Sequence, residues 1–168
     1  MLLGASRTVF EQEKYKILKA SSRDAPVVSA LTKGDWSERV AISQRRKNDN
    51  PTQIAEDLRA GGGLVLYRGG LPVAALSYVR ARDGSWELRR LGVTRTYSGR
   101  GFTTLLLNTL EGLARKADVR SIRIPVETYS PQYKAYFEKL GFSVDADRTF
   151  STIYPGAMQP IRMRKVVG

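Results

Sequence analysis

The residues best placed to do chemistry are Gly99, Arg100 and Gly101, at the junction between an extended segment and a long apolar run. Trp86 to Val93 carries aromatic and branched residues near period two, the pattern of a strand. From Phe102 through Thr103, Thr104 and Leu105 to Leu110 the chain reads as a buried helix that starts directly after the glycines. A glycine-flanked turn opening a helix leaves several backbone N–H groups unpaired and facing outward. With the positive end of the helix dipole, they suit a phosphate or pyrophosphate. The glycines permit positive φ and let the backbone come close to such a ligand. An ordinary tight turn has the same local sequence, and both readings stand at this point. The dinucleotide fingerprint needs a third glycine where Thr104 stands, and no Gly-Lys-Ser/Thr follows as in a P-loop.

The missing residue types narrow the chemistry further. The 168-residue sequence contains neither His nor Cys. Acid–base work therefore falls to carboxylates, Tyr, Lys or water, and thiolate catalysis, disulfides and cysteine zinc sites are excluded. No metal is expected. A formal charge of +12, from 28 basic and 16 acidic residues, favours polyanionic partners such as nucleic acid, ribosomes, membranes or phosphorylated cofactors. No apolar run approaches membrane-spanning length, and Met1 to Arg7 lacks the basic start and apolar stretch of a signal peptide. The expectation is a cytoplasmic protein without a membrane partner. The compact cluster Arg45-Arg46-Lys47 reads as a solvated surface.

The elements that must position the glycine loop follow from periodicity and punctuation. Residues 1–14 read as a polar N-terminal extension and 15–168 as a single α/β domain. Tyr15 to Ala20 is the first strand, Asp24 caps a helix to about Lys33, and 34–50 is a loop or broken helix. A second helix, Pro51 to Ala60, is ended by Gly61-Gly62-Gly63. Leu64 to Tyr67 and Leu71 to Val79 form a hairpin about Gly69-Gly70, and Asp83-Gly84 turns into the strand at Trp86. After the helix to Lys116, Ser121 to Glu127 alternates as a strand in which Pro125 implies a splayed or edge position. A helix from Ser130-Pro131 to Leu140 ends at Gly141, and Phe142 to Val144 and Ile161 to Val167 are strand-like.

That order resembles the GNAT superfamily of acyl-CoA N-acyltransferases. The resemblance rests on Leu91-Gly92-Val93, on Ser98-Gly99-Arg100-Gly101-Phe102-Thr103, and on Tyr136-Phe137-Glu138-Lys139-Leu140-Gly141-Phe142, and it covers roughly residues 15–167. It implies a mixed, mostly antiparallel sheet with splayed central strands, flanked by helices, and acetyl-CoA as co-substrate. Backbone amides from Gly99 to Thr104 would hold the pyrophosphate. Main-chain groups of Leu91, Gly92 and Val93 would hold the pantetheine and polarise the thioester carbonyl, with Ser130 and Phe137 near the cofactor arm. Ser98 stands where the family has Arg or Gln, and Thr103 where it has Gly or Ala, so Arg95 or Arg100 is a substitute for the lost charge.

The implied reaction is direct attack of an amine on the acyl thioester. Glu87 is the candidate base: some family members carry a catalytic glutamate at this place, and alternation puts it on the face of Leu91 and Val93. An ion-pair partner for a basic residue such as Arg80, or an anchor for the substrate ammonium, are its other readings. The family's usual acid is a Tyr at the position of Phe137. Tyr136, Tyr133 one turn earlier, Tyr129 and water are the alternatives, and Ser130 is equally a helix cap.

The acceptor is a small amine or a protein amino group. An RNA-borne amine such as aminoacyl-tRNA, or a non-catalytic module binding CoA or nucleic acid, are the competing readings. Acids able to attract an amine are few (Asp35, Glu38, Glu87, Glu127, Asp145 and Asp147), which argues against a polycationic acceptor. RNA or ribosome as partner and a homodimer through the last strands are compatible with the sequence.

Overall fold

A computed structural model describes residues 7–32, 50–126, 131–145 and 161–168. The strands are β1 (Thr8–Gln12), β2 (Tyr15–Ala20), β3 (Gly61–Arg68), β4 (Leu71–Arg80), β5 (Trp86–Val93), β6 (Ser121–Val126), β7 (Ser143–Val144) and β8 (Ile161–Val166). The helices are α1 (Ala25–Thr32), α2 (Pro51–Ala60), α3 (Phe102–Lys116) and α4 (Pro131–Lys139). Short 3-10 turns at Ser22–Asp24 and Arg95–Tyr97 lead into α1 and the glycine loop. The strands form one mixed sheet in the order β1-β2-β3-β4-β5-β6-β8-β7, antiparallel throughout except where β5 meets β6.

Helices cover both faces of this sheet. On one, Leu106, Leu107 and Leu110 of α3 join Leu64, Leu66, Leu76, Leu88, Leu91 and Val93 in the larger core cluster. On the other, Val28 and Leu31 of α1 and Ile54 and Leu58 of α2 close over Val65 and Ala75. No described helix is long and apolar enough to cross a membrane.

Two elements differ from the sequence expectation. Thr8–Gln12 is not an extension outside the domain but an edge strand paired to β2. With a partner on one side only, it needs little of the apolar content by which a strand is recognised. Gly61 to Gly63 end α2 as expected, yet they continue directly as β3. A Cβ at Gly61 would lie 2.1 Å from the Tyr78 carbonyl oxygen, and one at Gly62 2.6 Å from the Tyr78 hydroxyl. The run is glycine because β4 and the Tyr78 ring lie against it, not because the chain turns there. Pro125 is interior to the sheet order, but in the part of β6 that β5 has left, so its missing N–H costs no bond to β5.

One buried charge ties the α1/α2 layer to the central strands. Arg90, 2% exposed, donates to Asp57 of α2 at 2.8 Å and to Ser77 at 3.2 Å. Replacing Asp57 by Asn removes the carboxylate that lies 2.8 Å from a buried guanidinium. The expected loss is about 3 kcal/mol of unfolding free energy, read by denaturant titration.

Candidate active site

β5 and β6 run parallel and pair at Trp86↔Ile122 and Glu87↔Arg123 and, among the described residues, at no later position. From Leu88 onward β5 keeps its partners on β4, up to Ala74↔Val93, while β6 keeps its partners on β8. A wedge-shaped gap therefore opens between two central strands, bounded by the β5 edge from Leu88 to Val93 on one side and the β6 edge from Ile124 to Val126 on the other. This is the splay the sequence implied. Unpaired main-chain groups on those edges can hold an extended ligand by hydrogen bonds, as an added strand would be held.

The glycine loop stands just beyond the wide end of the gap. Gly99 and Gly101 both adopt left-handed backbone, with φ of 75° and 82°. Gly101 is the N-cap of α3, which has neither a side-chain cap nor an acidic residue in its first turn. The Leu105 N–H makes the first helical bond, to the Gly101 carbonyl at 3.0 Å. The amides of Phe102, Thr103 and Thr104 precede it and have no helical acceptor. Among the described residues, a Cβ built on Gly99 or Gly101 would meet nothing within 4 Å, so both glycines face open space. Open space at both glycines, amides without helical acceptors and a positive dipole end are the features that an anion cradle requires.

Aromatic rings brace the loop. Phe102 packs against Tyr15 and Tyr97, with ring centroids 5.1 Å and 6.1 Å away. Arg100 lies over the Tyr97 ring at 5.2 Å, and Arg68 donates to the Tyr97 hydroxyl at 3.3 Å. Arg68 and Arg100 thus bring positive charge to Tyr97, beside the glycine loop. The Ser98 hydroxyl donates to the Arg95 carbonyl at 2.9 Å, inside the turn.

Glu87 departs from its expected face. Ser77 pairs with Arg90 and Tyr78 with Leu88, so Arg89 is an extra residue, a β-bulge. Alternation slips by one there. Trp86, Leu88, Leu91 and Val93 all join the α3-side core, leaving Glu87 on the opposite face from Leu91 and Val93. On that face Arg162 of β8 approaches Glu87 Oε1 at 3.3 Å and Arg89 approaches Oε2 at 3.3 Å. The carboxylate, 15% exposed, sits at the narrow end of the gap, beside the last β5–β6 pair. Arg80, the cross-strand partner considered from sequence, is not among the ion pairs of Glu87 within the described residues.

Next to it is a second charge cluster that sequence reading missed. Arg123, 3% exposed, pairs with Asp83 and approaches Asp145 at 3.5 Å. Its signal in the sequence is one arginine alternating with Ile122 and Ile124 on a buried strand. Burial pushes the Asp83 carboxyl up, but hydrogen bonds from Ser85 and the Arg123 guanidinium outweigh it, leaving the pKa lowered to about 2. Since the folded value lies below the unfolded 3.8, this stabilisation is present above that value and lost as pH falls toward about 2. Asp83→Asn is expected to flatten that part of an acid-unfolding curve and to leave the neutral-pH baseline shape unchanged.

The other sequence candidates fall as follows. A Cβ on Gly92 would lie 2.1 Å from the Leu31 carbonyl oxygen, so this glycine admits α1 against the sheet, and only its main chain is available to a ligand. Phe137 is fully buried, edge-on to Phe142 at 5.9 Å and to Tyr136 at 5.2 Å. Tyr136 is half-buried against the same core. Tyr133 lies on α4, but its side chain, with Tyr129, Ser130, Asp35, Glu38, Glu127 and Asp147, lies outside the described residues. Among the described residues no group of acidic side chains is arranged to hold a metal ion.

The family model for GNAT acetyltransferases matches residues 28–142, well over half of the chain. The chain belongs to the GNAT acetyltransferase family. Solved structures with the same fold include a PaiA N-acetyltransferase from Thermoplasma acidophilum in complex with coenzyme A, 16% identical with a TM-score of 0.71, covering 92% of this chain and 99% of that one. Ard1 from Thermoplasma volcanium is similar to the same degree, at 16% identity, TM-score 0.71 and the same coverages. The ribosomal-protein-S18-alanine N-acetyltransferase from Escherichia coli is 19% identical, with a TM-score of 0.65 over 91% of this chain and 94% of that one. No curated protein matches the chain. As a GNAT member the protein is an N-acetyltransferase.

Proposed function

We propose that this acetyltransferase uses acetyl-CoA and transfers its acetyl group to a single amine by direct attack on the thioester. The observation that carries the reading is the departure of β5 from β6 after Glu87, with an uncapped helix N-terminus beyond the wide end. Amides from Gly99 to Thr104, with Ser98 in the turn behind them, would hold the pyrophosphate. Main-chain groups of Leu91, Gly92 and Val93 would hold the pantetheine. The amine nitrogen bonds to the acyl carbon as the carbon–sulfur bond breaks; one proton leaves the nitrogen and one reaches the thiolate.

Glu87 is the proposed proton acceptor. It lies at the narrow end of the gap on the face away from α3, so an amine entering from that face meets it first. Both of its oxygens have arginine neighbours, so proton uptake requires Arg89 or Arg162 to yield. Tyr136, Tyr133 and water are the sources for the thiolate proton; a thiolate is a good enough leaving group for water to suffice.

On the acceptor, the described acids argue for a monoamine or a peptide N-terminus over a polyamine. Glu87, Asp83 and Asp145 are each already paired with arginine, which leaves them little charge to offer several ammonium groups. The +12 charge supports a second reading, in which the amine is carried on RNA and the basic surface positions the polyanion. The test is thiol release from acetyl-CoA with small amines, peptides with free N-termini and aminoacyl-tRNA as acceptors. Turnover on one class at low salt and moderate salt alike identifies it. Turnover on charged tRNA alone, falling steeply with salt, replaces the first reading by the second. Tight cofactor binding without turnover on any of them contradicts both.

A further inference from the structure

A second cavity lies under the opposite end of α3. The helix has 15 residues, so its C-terminal turn is roughly 21 Å from the glycine loop at 1.5 Å per residue. The cavity, about 470 Å³, is bounded by Lys19 of β2, Gly61 to Gly63 of β3, Tyr78 and Arg80 of β4, Trp86 of β5, and Leu113, Lys116 and Ala117 at the end of α3.

Its chemistry is one-sided. Among the described residues, three cations, Lys19, Arg80 and Lys116, line it, and no acidic side chain does. Each is exposed, and none makes an ion pair within the described residues. Cations on a protein surface are commonly balanced by nearby acids, because unscreened like charges repel. Here they converge on one hollow. The wall between them is apolar and aromatic: the Tyr78 and Trp86 rings stack at 4.3 Å with planes 20° apart, and Leu58 and Leu113 complete it. The Tyr78 hydroxyl lies over the bare backbone of Gly62. Burial pushes the Tyr78 phenol up, Arg80 opposing, so it stays a protonated donor at neutral pH. Three cations and a hydroxyl around an apolar wall match a phosphate monoester attached to a flat or apolar body.

We infer that this pocket is a second binding site, specific for a small phosphate monoester with an apolar body, separate from the acyl-transfer gap. It needs nothing from the cofactor reading of the glycine loop. Its link to the reaction is short, since Trp86 in its wall adjoins Glu87 in the same strand and forms the adjacent β5–β6 pair.

Trp86 supplies the signal for the test. The sequence has two tryptophans, and Trp36→Phe leaves Trp86 as the fluorophore. The protein is titrated with phenyl phosphate, first without CoA and again with CoA present to block the loop, and the constant is checked by calorimetry on the unsubstituted chain. A saturable one-site change is expected, weakened at least tenfold in Lys19→Ala/Lys116→Ala while CoA affinity holds; benzyl alcohol gives no saturable change. No saturable change, or one whose midpoint the double variant leaves in place, overturns the proposal. Should CoA itself fail to bind, the titration without it stands, and that failure counts against the cleft, not this pocket.

Discussion

Gly101→Glu is expected to abolish acetyl-CoA binding, lowering affinity by at least about 100-fold while the protein stays folded. Three effects act at one residue. Its φ of 82° is a conformation that any L side chain adopts at a cost of about 1 kcal/mol, which a domain of this size tolerates. The new side chain enters open space at the N-terminus of α3, next to the Phe102, Thr103 and Thr104 amides. Its carboxylate then occupies, with a negative charge, the place where the dipole end and those amides would receive the pyrophosphate. The carboxylate is itself welcome at a helix N-terminus, by about 0.3–1 kcal/mol, which offsets part of the strain. Loss of binding would therefore not come from unfolding. Gly101→Ala separates the contributions: it keeps the strain without the charge and should bind within a few-fold of the parent. A folded Glu variant with parental affinity would remove the glycine loop from the cofactor site.

Glu87→Gln is expected to lower the acetyl-transfer rate by about 100-fold or more at neutral pH, the usual scale for a general base, with CoA affinity retained. The amide is isosteric with the carboxylate but cannot take up a proton at neutral pH. It also gives up the charge between Arg162 and Arg89, each 3.3 Å from one carboxylate oxygen. A purely structural Glu87 would behave differently. The variant would be less stable, and its rate, measured on the folded fraction, would keep the parental pH dependence. The decisive comparison is the pH profile of the transfer rate. A base role removes the acid limb, the fall in rate as a general base is protonated, whereas a structural role leaves the profile where it was.

How much of this was visible in the sequence depends on how local each cause is. The α3 helix and the glycines that open it were legible, because periodicity and positive φ are written in neighbouring residues. The splay was implied by the family resemblance, and Pro125 within an otherwise regular strand pointed the same way. The face of Glu87 was not legible. Strict alternation from Leu91 and Val93 carries the count through Arg89, and the bulge there shifts it by one residue. In retrospect Leu88 and Leu91, three apart with two arginines between them, mark the slip, since both leucines are buried on one face. The partners of Glu87 and Arg123 were hidden for a different reason. Arg162, Asp83 and Asp145 reach them from other elements of the fold, and no local pattern records such pairs. Gly61 to Gly63 end α2 as read, but their place in β3 was hidden, because glycine signals both a helix end and a close backbone approach such as that of Tyr78.

The central claim is that the gap between β5 and β6, with the amides at the start of α3, is an acetyl-CoA site. Calorimetric titration with acetyl-CoA, at moderate and again at high salt, tests it most directly. Held by oriented amides and strand edges, the ligand should bind at one saturable site, with an affinity that survives high salt within about tenfold. Absence of binding, or heat that vanishes once salt screens the surface charge, would mean that the loop and gap are scaffold and that only the basic surface attracts the anion.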